Sequence, residues 1–483
     1  MASINTKTQL APIFTGQGGP AKHITPLQEL VRLTMACMLW EDGFYESGKS
    51  VADRIKELVH AVKLGDASRV AIEARENMKL RHVPLLIARE MARHQRLKDS
   101  PSMVSETIAR VIQRADELTE FLAIYWKDGK QPLSKQVKLG LAKAFSKFSE
   151  YELAKYNRDK DIKLRDVLFL CHSKPKDVSA NTTRWTKTER SALADKGVDP
   201  SEVVECTHPD GFSNGELLYG KVVYDQLAKP GTWEERLSAG EAKDQVFVEL
   251  MAKGELGDLA FLRNLRNMVE AGVPREIIVN YGDTRRWGRV LPFRFISAAR
   301  MVPQLEPQLE QWMFRCLEGS PKLAGKTVLL CDLSSSMDGK LSTKSDLTRA
   351  DTMRALAMLL REVCEEVHIV PFTRRAWQAV PPRRGFALAD ALTRRHPMPD
   401  GTYLGQAVSD VNAVSKDTAR LIVLTDEQSA DRVPDPVAPL AYMINVASNR
   451  NGVGYGRWLH IDGFSEAVVG YIQKYEESSC GAE

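Results

Sequence analysis

The chain reads as an α-helical repeat array followed by an α/β domain on a mostly parallel sheet. Three observations predict this. From residue 26 to about 320, apolar residues recur three and four apart, the spacing of helices that bury one stripe. After Gly319-Ser-Pro321 the pattern changes to short apolar runs alternating with helical stretches, which implies parallel strands joined by helical crossovers. The first of those runs, Thr327-Val-Leu-Leu-Cys331, ends in Asp332-Leu-Ser-Ser-Ser336, and ligands in such sheets sit at the carboxyl ends of strands.

Composition bounds the function. At 483 residues there is room for two or three domains with a large core. The 43% hydrophobic and 27% charged shares are those of a soluble globular protein. Net charge is only +4, so nucleic-acid binding requires local basic patches. Seven scattered cysteines, an odd number with no Cys-x-x-Cys pair, read as reduced thiols. Met1 to Pro20 carries no signal pattern, and no apolar run reaches bilayer-spanning length. A cytoplasmic location is expected.

Taken in order, helices are expected over Val51–Val62, Ala67–Leu80, Leu85–Arg96, Val104–Trp126, Leu133–Phe148, Leu164–Cys171, Trp233–Leu237, Val246–Met251 and Asp258–Ala271, with Pro or Gly in the linkers. Successive helix pairs of irregular length imply units that bury their apolar faces on one another. Strands are expected at Thr327–Cys331, His368–Phe372, Leu421–Thr425, Ala441–Val446 and Trp458–Ile461. Helical stretches at Asp346–Val367, Gly405–Val414 and Phe464–Tyr475 alternate with them. The domains are therefore expected at 1–322 and 323–483.

In an extended segment alternate residues point the same way, so Asp332, Ser334 and Ser336 can converge on one cation. Oxygen-only ligands suit Mg²⁺ or a similar divalent ion and not zinc. Each residue alone reads more simply as a turn or helix cap. Together with Thr402 in Gly401-Thr-Tyr-Leu-Gly405, and with Asp426 closing Leu421-Ile-Val-Leu-Thr-Asp426, they resemble the metal-ion-dependent adhesion site of von Willebrand factor A domains. The resemblance implies hydroxyl ligands from Ser334, Ser336 and Thr402, and carboxylates Asp332 and Asp426 acting directly or through water. It leaves one coordination position for an acidic group of a partner. No side chain reads as a catalytic base, so no enzymatic role is expected.

From Lys127 to Arg190 basic residues outnumber acidic ones, with Trp185, His172 and several Ser, Thr and Asn residues interleaved. Cations for phosphates and flat rings for stacking make an RNA surface; a solvated helix face is the plainer alternative. Here the chain resembles the TROVE family of Ro ribonucleoprotein components. The match runs through Leu153-Ala-Lys155-Tyr156-Asn157-Arg158, Leu164-Arg-Asp166-Val-Leu168 and Cys171-His172-Ser-Lys174-Pro175. It continues through Gly231-Thr-Trp233-Glu234, Leu259-Ala-Phe-Leu262-Arg-Asn-Leu265-Arg-Asn-Met268 and Leu291-Pro292-Phe293.

That resemblance implies a ring of HEAT-like helical repeats closed by the A domain. A small structured Y RNA would bind the outer basic surface, and single-stranded 3′ ends of misfolded RNA would enter the central hole. Lys155 and His172 occupy positions that resemble the family's Y RNA contacts; His172 reads otherwise as a hydrogen-bonded helix end. Lys174 adds charge two residues on, and Lys143 is a further candidate. Arg263 and Arg266, three apart on one helix, either line the hole or cover a packed face. Trp40-Glu-Asp-Gly43-Phe-Tyr45 matches the family's opening only loosely, and Lys174 to Gly215 does not align.

The expected function is non-catalytic RNA binding of the Ro type, in RNA quality control or processing with an exoribonuclease partner. The alternative is a metal-dependent protein-binding scaffold without RNA. A metal-dependent hydrolase at the Asp332 and Asp426 strand ends is a third reading, which EDTA-sensitive turnover would reveal.

Overall fold

Helix-forming periodicity and parallel-strand periodicity each dominate one stretch of chain, but the compact units do not follow that border. In the computed structural model, which describes residues 11–36, 48–94, 101–158, 160–174, 214–228, 232–287, 290, 293–318, 321–341, 347–393, 401–414, 416–447, 451–463 and 467–480, one unit is Ile55–Glu235. The other joins Met1–Arg54 to Arg236–Glu483. The expected opening at Trp40–Tyr45 and the residues Lys176, Arg184, Trp185 and Lys187 lie outside the described residues.

The unit Ile55–Glu235 is all helix. From the end of α2 (Gly48–Ala61) it continues through α3 (Leu64–Glu76), α4 (His82–Arg93), α5 (Pro101–Val111), α6 (Ala115–Tyr125), α7 (Lys135–Phe145), α8 (Glu150–Tyr156), α9 (Leu164–Cys171) and α10 (Asn214–Val223) to the start of α11 (Trp233–Ser238). Their apolar stripes meet: Val70, Ile87, Ile108, Leu118, Phe121, Leu141, Phe145 and Val167 are all buried. Where α5 and α7 cross, a Cβ at Gly140 would lie 2.7 Å from the Ile108 Cβ, so only glycine permits the approach.

The single helix expected over Val104–Trp126 is two. The break at 112–114 has a polar cause. The buried Glu117 carboxylate accepts the backbone N–H groups of Gln113 (2.8 Å) and Arg114 (3.1 Å), which caps a new helix start. Its other oxygen accepts from the Arg75 guanidinium at 2.6 Å.

In the second unit, α1 (Pro26–Ala36), α12 (Lys243–Ala252), α13 (Asp258–Glu270), α14 (Arg275–Thr284), α15 (Phe293–Met301) and α16 (Glu306–Leu317) accompany a five-stranded sheet. Phe261, Trp287, Phe295 and Trp312 pack ring against ring at the centre of these helices. The strands are β1 (Leu323–Asp332), β2 (Cys364–Phe372), β3 (Arg420–Thr425), β4 (Leu440–Asn445) and β5 (Leu459–Asp462), all parallel in the order β2-β1-β3-β4-β5. Helix α17 (Arg349–Val363) lies between β1 and β2, α18 (Gly385–Ala391) and α19 (Leu404–Val414) lie between β2 and β3, and α20 (Ala467–Cys480) follows β5.

The helix expected over Asp346–Val367 stops at Val363, and β2 begins at once. Pairing with β1, from Leu323 opposite Cys364 to Asp332 opposite Phe372, overrides the helical pattern there. The strand order reverses at β1, whose neighbours are β2 and β3. That places the carboxyl ends of β1 and β3 at the switch point where such sheets bind ligands.

Candidate metal centre and nucleic-acid interface

β1 ends at Asp332 and β3 ends one residue before Asp426, and both carboxylates are fully buried. Asp332 accepts from the backbone N–H of Ser334 (2.9 Å) and from the Thr425 hydroxyl (2.6 Å). These bonds turn the chain so that the Ser334 and Ser336 hydroxyls stand 3.1 Å apart. The extended strand therefore gives way to a short 3₁₀ turn at Ser335–Asp338, and the two serines meet through that turn. Burial, then the charge of Asp426, pushes the Asp332 carboxyl up to about 7.

Thr402 sits just before α19 and is buried, and among the described residues its hydroxyl has no hydrogen-bond partner. A buried hydroxyl without a partner is costly unless something not in the protein satisfies it. Asp426 accepts from the Arg349 guanidinium (3.0 Å) and from the Gln428 N–H (3.1 Å). Hydroxyl and carboxylate oxygens with no sulfur fit a hard divalent ion. Among the described residues no group of three or more His, Cys, Asp or Glu is arranged to hold a metal, so a cation here depends on the hydroxyls.

Beside this pocket lies a second buried charge cluster. Glu427 contacts His460 Nδ1 at 2.7 Å and Arg32 Nη2 at 3.1 Å, and Asp462 contacts His460 Nε2 at 2.8 Å. Burial alone would lower the His460 pKa, but Asp462 and Glu427 outweigh it and raise it to about 9. Arg32 belongs to α1, so the cluster ties the N-terminal segment to the ends of β3 and β5. A Cβ at Gly452 would overlap Glu427 and Arg32, so the chain passes closely over the pair. Nearby, the Thr15 hydroxyl donates to the Ser429 carbonyl (2.6 Å) and Gly16 N–H to the Gln428 side chain (2.5 Å).

The basic candidates of the helical unit separate by environment. Lys143 is ion-paired with Glu106 on α5. Lys155, partly buried near the end of α8, lies over the Tyr156 ring at 5.9 Å. His172 closes α9 in a left-handed conformation (φ 52°) and is exposed, as is Lys174. These two line a shallow groove of about 580 Å³ with Lys135, Lys138, Leu133, Leu139, Ala142 and Cys171. Ser134 caps α7 and sets Lys135 and Lys138 on the groove side, one turn apart. Among the described residues no carboxylate pairs with Lys135, Lys138, His172 or Lys174. Arg263 and Arg266 are exposed on α13 in the other unit, and Arg266 lies 3.6 Å from Glu270.

Comparison with known proteins follows this geometry. The TROVE domain model matches residues 220–366, from α10 through β1 and α17 into β2. Telomerase protein component 1 of Mus musculus is 34% identical over 90 residues, covering 17% of this chain and 3% of that protein. Its counterpart in Rattus norvegicus is 33% identical over 90 residues. The chain thus spans only 3% of the length of these curated relatives. The crystal structure of the Deinococcus radiodurans Ro (RSR) protein aligns with a TM-score of 0.56 at 18% identity, covering 90% of this chain and 96% of that one. The likeness shows the fold: helical repeats together with a von Willebrand A-like α/β domain.

Sequence reasoning missed Arg349 at the metal pocket and the whole Arg32–Glu427–His460–Asp462 cluster. The contacts span 77 residues for Arg349 and Asp426 and 395 for Arg32 and Glu427, and no local pattern announces them. Lys135 and Lys138 were visible as charges, and only the fold shows that they share a groove with His172.

Proposed function

We propose that the chain is a non-catalytic RNA-binding protein of the Ro type. Its structured RNA ligand, a small Y-like RNA, would lie along the groove between α7 and α9. The observation that carries this reading is the set Lys135, Lys138, His172 and Lys174, cations and a ring unpaired with carboxylates, around an apolar floor. Phosphates need the first, and an unstacked base needs the second. Single-stranded 3′ ends of misfolded RNA would be a second ligand, in the opening that the family resemblance implies, with Arg263 and Arg266 as its contacts. An exoribonuclease partner and a cytoplasmic location complete the reading. Among the described residues no helix is long and apolar enough to cross a membrane.

The pocket at Asp332, Ser334, Ser336, Thr402 and Asp426 would hold a divalent cation, read as Mg²⁺, and a bound ion would offer an acidic partner group a coordination position. The unpartnered Thr402 hydroxyl supports that reading. Asp332→Ala is expected to abolish metal retention, measured by elemental analysis.

The RNA reading is tested by filter binding of a structured small RNA at several salt concentrations. Lys155→Ala with His172→Ala is expected to weaken binding roughly tenfold or more, at about 1 kcal/mol or above per contact. Lys143→Ala, whose ammonium already serves Glu106, is expected to cost much less. Affinity is expected to fall steeply with salt, since counterion release dominates phosphate binding. Unchanged affinity in the double variant would reject the Lys155 and His172 surface, and unchanged affinity in Lys135→Ala with Lys138→Ala would reject the groove. EDTA-sensitive turnover of a phosphate ester would count against a non-catalytic protein.

A further inference from the structure

The metal pocket contains a cation of the protein's own. Arg349 is 3% exposed, and its guanidinium reaches the Asp426 carboxylate at 3.0 Å and the Ser336 carbonyl at 3.4 Å. It is the first residue of α17, behind the cap Thr348, and its backbone N–H donates to the Gly339 carbonyl at 3.0 Å. A positive side chain at the first turn of a helix faces the positive end of the helix dipole, which disfavours it. A guanidinium does not shed its proton in proteins, so the charge cannot be relieved by titration. It stays because the pocket's two buried carboxylates need a counter-charge. With Asp332 and Asp426 ionised, Arg349 leaves the metal-free pocket at a net charge of −1 rather than −2.

A divalent ion entering this pocket meets a fixed positive charge only a few ångströms away. It also finds Asp426 engaged on both oxygens, one by Arg349 and one by the Gln428 N–H. The Ser334, Ser336 and Thr402 hydroxyls remain for it with the Asp332 carboxylate, whose two oxygens accept from the neutral Ser334 N–H and Thr425 hydroxyl and not from a guanidinium, a set with a single full negative charge. From this we infer that Arg349 is an affinity-setting residue, a tethered counter-cation that competes with the divalent ion for Asp426. It makes the ion weakly held and readily exchanged, and it keeps the pocket folded when the ion leaves. The inference rests on the reading of this pocket as a metal site.

The test uses the full chain stripped with EDTA, with Mn²⁺ alone as the probe, titrated by calorimetry and by the electron paramagnetic resonance signal of free Mn²⁺. Arg349→Gln is expected to bind Mn²⁺ at least tenfold more tightly than wild type. Arg349→Lys, which keeps the charge, is expected to stay within about threefold of wild type. Asp332→Ala is expected to bind none. If Arg349→Gln binds as wild type does, or more weakly, while Asp332→Ala still abolishes binding, the role of Arg349 is overturned and the metal site stands. If no form binds Mn²⁺ at millimolar concentration, the metal site itself falls and the inference with it.

Discussion

Asp426 and Glu427 are consecutive, equally buried, and serve opposite arrangements. Glu427 joins a closed network: two carboxylates, Glu427 and Asp462, against two cations, Arg32 and His460. Asp426 joins an open one, in which it meets the Arg349 guanidinium, a second carboxylate, Asp332, ends the neighbouring strand, and the buried Thr402 hydroxyl has no partner among the described residues. Glu427 takes a left-handed backbone conformation (φ 59°) to enter its network, at a cost of about 1–2 kcal/mol. The Glu427 N–H to Thr425 hydroxyl bond helps hold that conformation. The difference teaches where to look for function. A cluster whose charges cancel fixes α1 to the sheet, whereas one that brings two carboxylates and three hydroxyls together at the strand ends is shaped for a visitor. The same contrast separates Lys143, which is paired, from the groove cations Lys135, Lys138 and Lys174, which have no carboxylate partner among the described residues.

The largest effect should come from opening the closed cluster. Arg32→Met leaves a buried carboxylate uncompensated and is expected to lower stability by about 3–5 kcal/mol, read from the denaturant midpoint. Next, Asp332→Asn in stripped protein removes one of two like charges at the strand ends. It should leave stability within about 1 kcal/mol of wild type, or raise it, while abolishing Mn²⁺ binding. Equal losses from the two substitutions would erase the distinction.

Titration sharpens the contrast further. His460 faces Glu427 and Asp462, with Arg32 and the stacked Tyr455 ring beside it, and its pKa is raised from 6.5 to about 9. Its contribution to stability is therefore complete below about 6.5 and fades as pH rises through 9. Melting temperature should fall between pH 7 and 10 in wild type and fall less in His460→Gln. The smallest effect on stability is expected from Thr402→Val. It replaces an unpartnered hydroxyl with a methyl group and should change metal-free stability by under about 1 kcal/mol, in either direction, while weakening Mn²⁺ binding.

Much of the fold was legible because its signals are local. Helix spacing and strand alternation lie within a few residues of each other, and so does the Asp332–Ser336 pattern. Thr402 and Asp426 were reached through resemblance, since nothing adjacent to them signals a shared pocket. What escaped was set by distant polar partners. The amphipathic spacing runs unbroken through 112–114, and only the buried Glu117, held by Arg75, explains the break there. The helical pattern likewise runs past Val363, and pairing with β1 decides otherwise. The border expected at 322/323 marks where helices yield to strands. The compact units divide elsewhere because α1 packs on β5, and the helices from Lys243 onward pack on one another and reach α17, through contacts that leave no trace in local composition.

The central claim, RNA binding, is tested most directly by isolating the full chain from its native cell at low salt and sequencing whatever RNA accompanies it. The account predicts a small structured RNA in near-stoichiometric amount, released as salt is raised. Nucleic-acid-free protein that carries instead a defined protein partner, released by EDTA, would contradict it.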